Sequence, residues 1–270
     1  MTSATATKGV TPERYMSRVL LQGKVHPDDL AFTQDPNTLL FSDSTDGTIS
    51  SITLNGTVTV LLKGLAEPEG MVVLPDKSLI FSEEKTNRIL LLAPGAHIPT
   101  VLRTMPGKLS DDPCKSGVDD IAWDAFTHTI IVPDSPTGEV YSMSADGKSL
   151  KLLGSGIARP VDAAADGQGN IYVADQCGGA VWRIAPDGTK TRIGGFSMPD
   201  ALMLDPHGNL LVTDLGSSIH GLIRLNLVTG KREMLASEGY LKPQGLLVDA
   251  HDTIYIADDS TNKIVEYKPL

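Results

Sequence analysis

Apolar and polar residues run along this chain in short blocks rather than at helical spacing. From His26 it reads HPDDLAFTQDPNTLLFSD: an acidic opening, a brief apolar run, a polar turn, a second apolar run and a closing acid. The same order returns as EPEGMVVLPDKSLIFSE from Glu67, GVDDIAWDAFTHTIIVPD from Gly117 and RPVDAAADGQGNIYVAD from Arg159. It returns again as MPDALMLDPHGNLLVTD from Met198 and KPQGLLVDAHDTIYIAD from Lys242, so the six starts are 41, 50, 42, 39 and 44 residues apart. A first run that is apolar throughout, such as Leu30-Ala31-Phe32, suits a strand covered on both faces. The turn that follows is rich in Asp, Pro, Gly and Asn, as in Asp205-Pro206-His207-Gly208-Asn209. A third strand such as Ala180 to Ile184 and a turn such as Pro186-Asp187-Gly188 then lead into a fourth strand.

Four strands in roughly 40 residues is the pattern of a propeller blade. Six units therefore predict an all-β, six-bladed propeller. The last unit stops after its third strand, Ile264 to Tyr267. Arg18-Val19-Leu20-Leu21 resembles Thr59-Val60-Leu61-Leu62 of the first unit and is expected to supply the missing strand, which would close the ring and remove an exposed edge. Residues 1–17 are expected to form a flexible tail and residues 18–270 the propeller.

In such a blade the residues that begin the first strand ring the mouth of the central channel. At that position stand Asp28, Glu69, Asp119, Val161, Asp200 and Gln244, followed one residue later by Asp29, Gly70, Asp120, Asp162, Ala201 and Gly245. Four acids on one mouth repel one another, so cations must neutralise them or their pKa values must rise. Hard oxygen donors with no His or Cys at that level suit Ca²⁺, or Mg²⁺ and Mn²⁺, better than Zn²⁺. Two plainer readings stand beside this one. Arg159 and Lys242, two residues before the ring in their units, could pair with the acids, or the acids could cap the turn that leads into the strand. A second series, Asp43, Glu83, Asp134, Asp175, Asp214 and Asp258, is complete in every unit and reads as architectural, bonding amides of its own loop.

Among the histidines, His220 lies in a loop on the ring face beside Asp200, and His26 precedes Asp28. Each is a candidate proton carrier, with a solvated loop histidine as the plainer reading. Asp119, Asp120, Arg159 and His26 are candidate substrate-binding residues. The insertion Thr104 to Gly117 accounts for the 50-residue interval and is expected to border the pocket. Its Cys114 should share the ring face with Cys177. A disulfide is conceivable, and two free thiols are the expectation in a reducing cytoplasm.

A net charge of −10 and a pI near 5.0 exclude an electrostatic grip on nucleic acid or anionic membrane. The start MTSATATKGVTPERYM has no apolar core behind a basic start, so no secretion signal is expected and the cytoplasm is the expected location. No Gly-rich phosphate loop, Ser-nucleophile motif or metal-spaced Cys/His cluster is present.

On its repeats and its mouth residues, the stretch from about 18 to 270 resembles the SMP-30/gluconolactonase propellers, with NHL-repeat proteins similar in pattern. That resemblance implies one divalent cation, commonly Ca²⁺, at the channel mouth. The family's first-blade Glu ligand falls on Asp28, its third-blade Asn on Asp119, and the Asp of its PDG motif on Asp200. Its remaining Asn ligand falls on Val161, which cannot coordinate, so Glu69 or Asp162 would complete the shell. The expected function is metal-dependent hydrolysis of a lactone or small ester, with metal ligands Asp28, Glu69, Asp119 and Asp200. Asp200 would activate water, with His220 as a second catalytic candidate, in a monomer or weak oligomer acting on a small molecule. The alternatives are a non-catalytic NHL-type propeller that binds a ligand or protein, and a non-hydrolytic, metal-free enzyme of the strictosidine-synthase-like kind.

Overall fold

The computed structural model describes residues 15–237 and 239–270. Strand β1, Tyr15–Gln22, comes first in the chain but belongs to the last blade. Blade 1 is β2 to β5: Pro27–Phe32, Thr38–Asp43, Thr48–Thr53 and Val58–Lys63. Blade 2 is β6 to β9: Pro68–Val73, Leu79–Glu83, Arg88–Leu92 and Thr100–Thr104. Blade 3 is β10 to β13: Ala122–Asp124, Thr129–Asp134, Glu139–Ser144 and Leu150–Ser155. Blade 4 is β14 to β17: Pro160–Ala165, Ile171–Asp175, Ala180–Ile184 and Lys190–Ile193. Blade 5 is β18 to β21: Pro199–Leu204, Leu210–Asp214, Gly221–Leu225 and Arg232–Ala236. Blade 6 takes β22, β23 and β24 (Pro243–Val248, Ile254–Asp258 and Lys263–Pro269), with β1 as its outer strand.

The predicted closure is present. β1 pairs antiparallel with β24, and it begins at Tyr15, three residues earlier than Arg18, because Tyr15, Met16 and Ser17 also pair, with Pro269, Lys268 and Tyr267. Residues 1–14 of the expected tail lie outside the described residues.

The core lies between blades, not within them. Six apolar clusters fill the six blade-to-blade contacts; the one between blades 4 and 5, for example, packs Val161, Tyr172 and Val181 against Leu202, Leu210 and Val212. Each second strand is therefore covered on both faces, and in β7, β15, β19 and β23 every residue is buried. This is why those strands read as unbroken aliphatic runs. The turns between first and second strands are held by short acids: Asp205 accepts from the amides of His207 and Asn209, and Asp249 does the same for His251 and Thr253. Among the described residues no helix is long and apolar enough to cross a membrane.

Candidate functional site

The mouth is shaped by one irregularity repeated around the ring. In five blades the first strand opens with a proline (Pro27, Pro68, Pro160, Pro199 or Pro243), and the pairing with the second strand slips over the next two residues. Proline donates no ladder hydrogen bond and suits the first position of a strand. The slipped pair behaves as a bulge, which turns side chains out of the ladder. Those pairs are the two tiers read from the sequence, Asp28-Asp29, Glu69-Gly70, Val161-Asp162, Asp200-Ala201 and Gln244-Gly245. Blade 3 has no proline there, and its pair Asp119-Asp120 precedes β10 altogether. Two glycines let the tiers approach: a Cβ on Gly70 would stand 2.5 Å from Asp120 Cα, and one on Gly245 would stand 2.3 Å from the Asp28 carbonyl oxygen.

The complete acid series is architectural, as expected. Asp214 accepts from the amides of Ser197, Met198 and Gly216, and Asp258 from those of Leu241, Lys242 and Thr261. Asp175 takes the amides of Arg159 and Gly178 and the Trp182 indole N–H. Each acid ties the loop ahead of its blade's first strand to the loop after its second strand, and so fixes where the mouth residues stand.

The residue after each architectural acid projects to the mouth, and this is the position that sequence reasoning overlooked. Ser44 donates to Asp28 at 2.6 Å, and Ser135 donates to the Pro160 carbonyl. Gln176 accepts from Arg159 and donates to Asp200. Glu84 and Asp119 share the Arg159 guanidinium at 3.3 Å and 3.0 Å, and Asp259 takes Lys242 at 2.9 Å. These residues enclose a cavity of about 330 Å³ whose lining includes Asp28, Glu69, Glu84, Asp119, Arg159 and Lys242.

Burial dominates the electrostatics. It pushes Asp28 and Asp119 up to about 6 and Glu84 to about 7, against the lowering effect of Lys242 on Asp28 and of Arg159 on Asp119 and Glu84. Glu69 and Asp200 are driven well above the carboxylate range by burial and by neighbouring acids. Arg159 and Lys242 are raised by those same acids, against their own burial, and stay charged.

The other predicted residues fall outside the lining of the mouth cavity, and Asp200 is among them, reached from it through Gln176. Asp120 belongs to the deeper tier and lines the opposite end of the channel. His26 sits at the rim with Nδ1 3.5 Å from Asp259. His220 takes a left-handed backbone conformation (φ 40°) closed by its amide on the Gly216 carbonyl, and it does not line the cavity. The free-thiol expectation is corrected: Cys114 and Cys177 form a disulfide. That bond anchors the Thr104–Gly117 insertion to the loop that carries Gln176. The insertion runs along the mouth face, where Lys115 reaches the Ala158 carbonyl and the Gly107 amide bonds Asp134, yet none of its residues lines the cavity itself.

A divalent cation does not fit these residues as they stand. The oxygen chemistry suits Ca²⁺, but Asp119 is held by Arg159, Asp28 by Ser44 and Asp200 by Gln176, and Val161 offers no donor and is packed in the core between blades 4 and 5. Among the described residues no group of three or more His, Cys, Asp or Glu side chains is arranged to hold a metal ion.

No protein-family model and no curated protein matches this chain. Solved structures do. A gluconolactonase from Xanthomonas campestris superposes with a TM-score of 0.75 at 18% identity, over 95% of this chain and 90% of that one. A catalytically inactive virginiamycin B lyase from Staphylococcus aureus, with quinupristin, gives 0.67 at 16% identity over 95% and 100%. A chain of a nidogen/laminin complex gives 0.71 at 21% identity over 85% and 88%. At these identities the likeness shows the fold, and the neighbours are the gluconolactonases and other propellers that the sequence resemblance implied.

Proposed function

We propose that the mouth cavity cleaves a C–O bond of a lactone or small ester by acid–base chemistry supplied by its own side chains. One observation carries this reading. A buried guanidinium, Arg159, stands between two carboxylates of a concave site and is linked through Gln176 to a third. Paired titratable groups pushed apart by their surroundings divide into base and acid. Asp119, close to neutral in its titration, is the base that takes a proton from water. Glu69, which lines the cavity and is held protonated by burial and neighbouring acids, is the acid that returns a proton to the departing alkoxide, whereas Asp200, expected to activate water, stands behind Gln176 outside the cavity lining. Arg159 and Lys242 face the oxyanion that forms between these steps, where fixed positive charge in a site with little water stabilises it strongly. One neighbour of this fold is named a gluconolactonase, which agrees with a lactone substrate. The hold of Arg159 on Asp119 and Glu84 favours this metal-free route over a cation-assisted one.

The test is turnover of a panel of aliphatic lactones and esters by EDTA-treated protein, run in heavy-oxygen water. Hydrolysis places the heavy oxygen in the carboxylate product. A product with a new C=C bond and no label means elimination, the non-hydrolytic alternative in the same cavity. Turnover that appears only after Ca²⁺, Mg²⁺ or Mn²⁺ is restored would return the reaction to the metal-assisted form, and no turnover with any of them would leave a binding propeller.

A further inference from the structure

We propose that the far end of the channel is a second ligand site, a cup that takes a small organic ammonium with a compact apolar body. The cup encloses about 340 Å³ and is walled by the first strands of all six blades, with Phe32, Met71, Val73, Trp123, Leu202 and Leu246 on its sides. That volume is within the range of small-molecule pockets. It is distinct from the mouth cavity, which has none of these residues in its lining.

Three acids of the deeper tier, Asp29, Asp120 and Asp162, form its floor. Two are satisfied by backbone: Asp29 accepts from the Met71 amide, and Asp162 from those of Ala163 and Leu202. Asp120 is not. It is only 9% exposed, and among the described residues its carboxyl receives no hydrogen bond. Its oxygens are not sealed in the core but open to the cup, where a donor on a ligand can reach them.

The charges decide the sign of the ligand. The ionisable groups that act most on Asp120 are Asp29, Asp162, Asp119 and Asp200, all acids, whereas Arg159 and Lys242 act on the mouth tier. No basic residue lines the cup. A donor with positive charge meets the unpartnered carboxyl, and the walls set the rest of the molecule. A bare hard cation would have to shed water against aliphatic side chains, while an alkyl body buries their surface and leaves its ammonium to Asp120.

The experiment is titration calorimetry of EDTA-treated full-length protein with cyclohexylamine, protonated at neutral pH, and with cyclohexanol as its uncharged isostere. Cyclohexylamine is expected to bind about tenfold or more tightly than cyclohexanol, in keeping with a hydrogen bond that involves a charged group. Asp120→Asn should remove most of that preference. Because Asp120 is buried, a second variant, Ala165→Phe, fills the cup from its solvent end and should abolish amine binding while leaving turnover at the mouth unchanged. Equal binding of amine and alcohol, amine binding retained in both variants, or no binding of the amine would overturn the assignment.

Discussion

Asp119 and Arg159 show how one contact organises the mouth. The guanidinium lowers the cost of a carboxylate that is almost wholly buried, and the carboxylate holds the guanidinium where an oxyanion would form. Arg159→Lys keeps the charge and loses the fork that reaches Glu84, Asp119 and Gln176 together. The expected outcome is a fall in kcat/KM of about a hundredfold with little change in melting temperature, comparable to loss of one oxyanion donor. Asp214→Ala should do the reverse. It strands three amides in a fully buried place and is expected to cost about 3 kcal/mol or more of stability, read from urea unfolding. The difference between Asp119 and Asp214 was legible in the sequence: the series of Asp214 is complete in every blade and that of Asp119 is not. Glu84 and Gln176 were not legible, because the position after the architectural acid reads Ser44, Glu84, Ser135, Gln176, Leu215 and Asp259. No shared chemistry marks a position whose only common property is where it points.

Among the elements, the first strands and the insertion do most to place the site. Strand order and turns could be read from alternating apolar runs and Asx-type turns, since each acts over a few residues. The slipped pairing after each opening proline could not, because a bulge is defined by the partner strand. The disulfide was hidden for the same reason: Cys114 and Cys177 are 63 residues apart and meet only once two blades are side by side. Closing a loop of that length removes denatured-state entropy worth about 4 kcal/mol in the chain-entropy account. Cys114→Ser together with Cys177→Ser is therefore expected to lower the urea midpoint, and to raise KM more than it lowers kcat, because the released insertion no longer braces the Gln176 loop. Thiol titration of the unfolded, unreduced protein checks the premise: no reactive thiol is expected.

At the scale of the whole molecule, closure and the acid-lined channel act on stability in different ways. β1 covers the edge of β24, so deletion of residues 1–23 should expose an unpaired strand and lower both melting temperature and solubility. Melting at the full-length temperature would show that the ring does not depend on it. The channel makes a less obvious demand. Its carboxyls are raised by burial from ordinary values near 3.8 or 4.5 to about 6 for Asp28 and Asp119, about 7 for Glu84 and about 8 for Asp29. A carboxyl raised in the folded state binds its proton more tightly there than in the unfolded chain. Its stabilising contribution is complete below the unfolded value and is lost as pH rises through the folded one. The protein is therefore expected to lose stability steadily between about pH 4 and about pH 8, the window set by these shifts. Most single domains are steadier across that range. Scanning calorimetry at intervals through the window measures the slope. Asp29→Asn, which removes the group that titrates last among these four, should flatten its alkaline end while leaving the acid end in place. A flat profile in the wild-type protein would mean that charge from outside the chain neutralises the channel, and the same scans repeated with Ca²⁺ and with cyclohexylammonium would identify which cation supplies it.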